Sequence, residues 1–268
     1  MIPSLSQVSC LNSPFDRDLE DFAAAGCTQV EVWLTKLETY LETHTLKDVR
    51  YWLEKTSLSL PVASFQGGLL SSQGEARREA WNLFARRLDL CRELSIGTIV
   101  VACDIAPPLN QHTIERVQVS LTQVAQEAGQ RNLRAALEFQ ADSSFGNNLQ
   151  TAAALVADVA SPHVGLCLDT FHFHIGPSKT EDLAYLTADN LFHVQLCDLA
   201  DTPRELARDS HRILPGDGDI PLAPLIDHLR RIQYAGCISI ETLNPHLWQV
   251  PALQLADAGM AALRRLLS

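Results

Sequence analysis

The chain has 268 residues, 46% of them apolar and 20% charged, with a formal charge of −11; this is enough apolar content to bury a large core, and it argues against disorder. A nucleic-acid binder normally carries a basic surface, so the acidic balance speaks against a polyanionic partner. No segment approaches the ~18 consecutive apolar residues of a membrane span, and MIPSLSQVSC lacks a basic stretch leading into a long apolar run.

Seven cysteines are an odd number, and Cys103, Cys167, Cys197 and Cys237 sit inside apolar runs. They read as small buried hydrophobes of a soluble protein in a reducing, cytoplasmic compartment rather than as a disulfide framework.

The elements alternate from the start. Residues 4–10 (SLSQVSC) read as a first strand and 16–25 as a helix stopped by Gly26. In 28–33 (TQVEVW), Val30 and Val32 share one face while Glu31 and Trp33 share the other, the period of a second strand. The stretch 34–45 is polar and ambiguous, a short extra helix within a loop. A helix at 47–57 and a strand at 61–68 (PVASFQGG) follow.

The helix at 74–94 carries Ala76, Ala80, Leu83, Phe84, Leu88 and Cys91 on one stripe, with arginines opposite. GTIVVAC (97–103) is apolar throughout, as in a strand covered on both faces. Then come a helix at 113–129, a strand at 133–139, a helix at 148–160 and a strand at 164–169. The chain closes with a helix near 180–188, a strand at 191–198, a helix at 221–234, a strand at 237–242 and a helix at 250–267.

Eight strands alternating with eight helices imply parallel strands joined by right-handed crossovers. In this length they predict one domain, 1–268, folded as a (β/α)8 TIM barrel. An open doubly wound sheet is the alternative, but the first strand–helix turn has no glycine-rich phosphate fingerprint.

In such a barrel the active site lies at the C-terminal ends of the strands. Strand five ends in Glu138, strand six in Asp169, strand seven in Gln195 through Asp198 and strand eight in Glu241. Alternation places Glu138 with Ala136, Gln195 with His193 and Cys197, and Glu241 with Cys237 and Ser239. A single strand-end carboxylate is most often solvated or caps the next helix. Three carboxylates and a carboxamide on four successive strands would repel one another without a cation, and oxygen donors favour Mg²⁺ or Mn²⁺. The turn PGDG (215–218) is either a simple tight turn or a device that holds Arg212 over the rim to grip a substrate oxygen. Trp33 and Phe65, near other strand ends, either wall a pocket or pack in the core.

The motifs ALEF (136–139), LDTFH (168–172), HVQLCD (193–198), RILPGDG (212–218) and ISIET (238–242) together resemble the xylose-isomerase-like barrel superfamily. The resemblance is to its sugar phosphate isomerase/epimerase members, which include inosose isomerases, hydroxypyruvate isomerases and ketose 3-epimerases. It implies Glu138, Asp169, Gln195 and Glu241 as ligands of one divalent ion, Glu138 and Glu241 as the acid/base pair, and His172 and Arg212 as substrate contacts; His174 has no part.

Relatives often place a histidine where this chain has Gln195. A carboxamide oxygen is a harder donor, which favours Mn²⁺ or Mg²⁺ over Zn²⁺, with Co²⁺ also open. The expected activity is isomerisation or epimerisation of a small ketose, inosose or polyol-derived carbonyl compound through an enediolate. A dehydratase of an inosose or dehydroshikimate-like substrate, or a sugar-binding protein without turnover, is the alternative.

Overall fold

The computed structural model describes residues 1–268. Eight parallel strands close in the order β1 to β8, each paired with its sequence neighbours and β8 with β1. They are β1 (Ile2–Ser6), β2 (Gln29–Trp33), β3 (Ser59–Gln66), β4 (Thr98–Cys103), β5 (Arg134–Phe139), β6 (Val164–Asp169), β7 (Leu191–Leu196) and β8 (Cys237–Ile240). Nine α-helices surround them: α1 (Phe15–Ala24), α2 (Leu34–Leu41), α3 (Leu46–Thr56), α4 (Gly74–Glu93), α5 (Gln111–Gln130), α6 (Leu149–Val159), α7 (Thr170–Ile175), α8 (Leu222–Arg231) and α9 (Ala252–Leu267). The fold is the expected (β/α)8 barrel, and no helix is long and apolar enough to cross a membrane.

Strand alternation divides the interior in two. Val30, Val32, Ile99, Val101, Leu137, Phe139, Leu166, Leu168, Val194, Leu196, Ile238 and Ile240 point outward into a 60-residue core shared with the helices. Inside the barrel a small apolar floor of Val62, Val100, Ala136, Cys167, Phe192 and Cys237 supports a polar layer above it. The register slips between β6 and β7, where Leu166 pairs with Leu191 but Cys167 with His193. This bulge brings Phe192 into the floor and still leaves His193 buried. Gly165 makes room for it: a Cβ there would lie 2.7 Å from the Phe192 ring and 2.6 Å from the Asn190 carbonyl. All seven cysteines are buried and free.

Several boundaries differ from the pattern of the sequence. The first strand ends at Ser6, and Gln7–Cys10 turn as a 3-10 helix. Side chains account for that departure: Lys36 Nζ donates to the Gln7 and Cys10 carbonyls, and the Gln7 amide donates to Asp18. The polar stretch after β2 is α2, begun directly at the strand end. The segment near 180–188 is a 3-10 helix, Thr180–Tyr185, which buries Leu183 and is followed by buried Leu186, three residues further on. Strand eight stops at Ile240, although the Glu241 amide still donates to the Leu196 carbonyl. On α4, Arg87 lies on the buried face rather than among the exposed arginines, because Glu38 and the Phe65 carbonyl both accept from its guanidinium.

Candidate metal and substrate site

At the C-terminal rim, β5, β6 and the end of β8 deliver Glu138, Asp169 and Glu241, all buried. Ligand atoms of Glu138, Asp169 and His172 lie within 4.8 Å of one another. Arg212 lies among these acids: its Nη1 is 2.7 Å from Asp169 Oδ2 and 3.1 Å from Glu241 Oε2. Only 1% of the arginine is exposed. Its Nε and Nη2 both reach Asp209 Oδ1, and its guanidinium covers the Phe171 ring at 4.3 Å.

The loop after β7 places this arginine. Asp198 accepts hydrogen bonds from the Leu199, Gly216 and Ile220 amides, and its backbone exchanges both hydrogen bonds with Ile213. The PGDG turn is therefore part of the support for Arg212. Gly218 passes the Leu199 carbonyl so closely that a Cβ would come within 2.2 Å of it, and Gly216 has φ +89°.

His172 stands on the short helix α7, whose N-terminus Asp169 caps by accepting from the Phe171 amide. The Ala141 amide donates to His172 Nδ1 at 3.3 Å. A ring nitrogen that accepts carries no proton, so neutral His172 bears its hydrogen on Nε2, 3.7 Å from Asp169 Oδ2. Burial holds the His172 pKa below the usual imidazole value, which favours that neutral donor form.

Burial, reinforced by Asp169, pushes the Glu138 carboxyl up to about 8 against the pull of Arg212. Burial also raises Glu241 well above the usual carboxylate range, again with Arg212 acting in the opposite sense. Gln140 Nε2 donates to Glu138 Oε2 at 2.5 Å. Gln140 and His172 line a cavity of about 460 Å³ together with Asp142, Phe171, Arg208 and Ser210.

Gln195 joins the same cluster. Its Nε2 donates to Glu241 Oε1 and to Glu31 Oε1, both at 2.9 Å, while its oxygen accepts from Cys167 Sγ at 3.0 Å. Beneath it, Glu31 Oε2 lies 2.8 Å from His193 Nε2, with both residues fully buried. Burial opposes both charges, but each partner outweighs it: Glu31 holds His193 up to about 10, and His193 draws Glu31 below the usual carboxylate value.

The donor chemistry fits a divalent cation. The buried Glu138 and Asp169 carboxylates come together with His172, Glu241 lies across the Arg212 guanidinium from Asp169, and Asp169 Oδ2 accepts no well-directed hydrogen bond despite that guanidinium. In the orientation seen, Gln195 offers Glu241 a donor; as a ligand it would have to present its oxygen, which requires the amide to turn.

Glu138, Asp169, His172, Gln195, Arg212 and Glu241 are thus brought together. Trp33 lines a separate cavity with Phe15, Lys36 and Tyr40, and Phe65 is 49% exposed at the end of β3. Sequence reasoning passed over Glu31, His193, Gln140 and Asp209. For Glu31 a signal was present, since alternation in β2 set it opposite Val30 and Val32; Asp209 lay in a loop with no periodicity to place it.

Comparison with known proteins follows the same architecture. The chain is 26% identical over 250 residues to an inosose isomerase of Halalkalibacterium halodurans, covering 90% of this chain and 87% of that one. It is 28% identical over 268 residues to a 3-dehydroshikimate dehydratase of Pseudomonas aeruginosa, covering 97% of this chain but 41% of that longer protein. Its fold superimposes on a crystal structure of the IOLI protein with a binding zinc atom at a TM-score of 0.93, with 23% identity and coverage of 100% and 98%. Residues 19–266 match a known family throughout, and the chain belongs to the xylose isomerase-like TIM barrel family.

Proposed function

We propose that this protein is a divalent-metal-dependent isomerase or epimerase of a small polyhydroxy carbonyl compound, an inosose or a ketose. The observation that carries the reading is the buried grouping of Glu138, Asp169 and His172 beside a polar cavity, with Glu241 joined to Asp169 through the Arg212 guanidinium. The similarity to inosose isomerases over nine-tenths of the chain supports the substrate class.

Glu138, Asp169 and Glu241 would hold the ion, while Gln195, whose amide nitrogen faces Glu241, steadies that carboxylate instead of supplying the expected fourth ligand atom; Mn²⁺ or Mg²⁺ suits this oxygen set best. When bound, the ion supplies Lewis-acid stabilisation of negative charge on the substrate's carbonyl oxygen. Glu241 and Glu138 form the acid/base pair: one carboxylate takes the proton α to the carbonyl and the other carboxyl returns one. In the metal-free fold, burial favours the protonated form of both carboxyls. His172 Nε2–H donates to a substrate oxygen, and Arg212 spreads the developing charge.

Glu241→Gln tests the assignment. The variant keeps its shape, and exchange of the α-proton of an inosose with deuterated solvent should disappear; undiminished exchange refutes the role. The extended match to 3-dehydroshikimate dehydratase favours a second reading, in which the same machinery expels a β-hydroxyl. Product mass separates the two, because dehydration loses water and isomerisation does not.

A further inference from the structure

Below the carboxylates, the barrel interior holds an ion pair that the proposed chemistry does not use. Glu31 reaches across the interior from β2, three strands around the barrel from β7, and is 0% exposed. Its two oxygens have different partners: Oε2 takes His193 Nε2 at 2.8 Å and Oε1 takes Gln195 Nε2 at 2.9 Å. Gln195 Nε2 continues to Glu241 Oε1 at 2.9 Å, and the other Glu241 oxygen faces Arg212 Nη1 at 3.1 Å. A continuous hydrogen-bonded chain therefore runs His193, Glu31, Gln195, Glu241.

The chain has a direction. A carboxamide nitrogen has two hydrogens, and here both are committed to carboxylates. Turned over, the amide would set its oxygen against two carboxylate oxygens, so Glu31 and Glu241 together select one orientation. His193 keeps Glu31 in place by occupying its second oxygen. Burying two charged groups costs free energy that apolar residues would not, and this pair lies below the rim with both side chains fully buried. Its geometric effect is on Gln195, and through Gln195 on Glu241.

We propose that Glu31, braced by His193, is a positioning residue that pins the Gln195 carboxamide and thereby fixes the rotamer of Glu241 for proton transfer. The inference rests on the isomerase/epimerase reading for its catalytic half only. The pin itself is a property of the folded chain.

The test uses the full-length protein. In a sample labelled with ¹⁵N-glutamine, the side-chain amide of Gln195, identified by its loss in Gln195→Met, should exchange its hydrogens slowly in the wild type. Glu31→Leu with His193→Leu removes both charges together, so no lone buried ion is left to unfold the barrel. In this double variant, Gln195 exchange should accelerate at least tenfold. The kcat for α-proton exchange of an inosose should fall by about 10–100-fold, as for other residues that orient a site from behind, with KM within about twofold of wild type. Glu31→Gln, which keeps one acceptor for two donors, should fall between the two.

Equal protection of the Gln195 amide in wild type and double variant overturns the pin. An unchanged kcat with a freed amide overturns its catalytic role. Should the wild type catalyse no exchange at all, the functional reading fails, and the amide measurement alone decides whether Glu31 pins Gln195.

Discussion

Arg212 and Asp169 form a buried ion pair at the centre of the candidate site, with Nη1 to Oδ2 at 2.7 Å and neither side chain meaningfully exposed. The guanidinium is the cation that the structure sets against Asp169 and Glu241. An arriving metal ion and this arginine therefore compete for the same acids.

Arg212→Met should expose that competition. Removing one member of a buried ion pair typically costs about 3–5 kcal/mol because the remaining charges are unpaired. Urea unfolding of the metal-free variant should show a loss of that order, and Mn²⁺ should restore more stability to the variant than to the wild type. Equal Mn²⁺ stabilisation of both proteins would mean that arginine and ion do not share the acids.

Gln195→His places an imidazole beside Glu241 where the carboxamide nitrogen now stands, and an imidazole suits zinc better than the surrounding oxygen donors do. Competition between Mn²⁺ and Zn²⁺, read by elemental analysis after dialysis, should move toward zinc by at least about tenfold (about 1.4 kcal/mol). An unmoved ratio would place residue 195 outside the ligand set and leave it as the donor to Glu241 seen here.

The stability of the metal-free protein should fall as pH rises. Glu138 is raised to about 8 in the fold, whereas an unfolded glutamate ionises near 4.5. Between those values the folded chain holds a proton that the unfolded chain has released. The associated stability is fully present below 4.5 and is lost as pH rises through about 8. His193, raised from 6.5 to about 10 by Glu31 despite its burial, adds a loss of the same sign at higher pH. Thermal melts at pH 6 and pH 9 check this, with Glu138→Gln as control: the wild type should lose more stability than the variant. A steeper loss in Glu138→Gln contradicts the assignment.

Gly165→Ala should destabilise the barrel by about 1–3 kcal/mol, the usual cost of forcing a methyl into a filled core. Its Cβ would meet the Asn190 carbonyl and the Phe192 ring at the β7 bulge. Because that bulge also seats His193, the variant should disturb the His193 ring resonances in NMR spectra, whereas Gly97→Ala, with its nearest contact at 3.9 Å, should leave them unmoved.

What the sequence by itself determined is whatever follows from periodicity and chain order. Alternation along β5, β7 and β8 separated Glu138, Gln195 and Glu241 from their apolar neighbours, and strand order set them side by side on one rim. Strand hydrogen bonding is regular, so an inward or outward facing can be counted from residue to residue.

Only the tertiary structure decided which end of Gln195 faces Glu241, which nitrogen of His172 carries hydrogen, and that Arg212 lies against Asp169. Each depends on a partner far away in sequence: Glu31 is 164 residues from Gln195, and Ala141 is 31 from His172. The same holds for the Gln7–Cys10 turn, which bends where β-prone sequence would run straight because Lys36 captures its carbonyls. Side-chain hydrogen bonds across a closed barrel carry no period, so they become legible only when the strands meet.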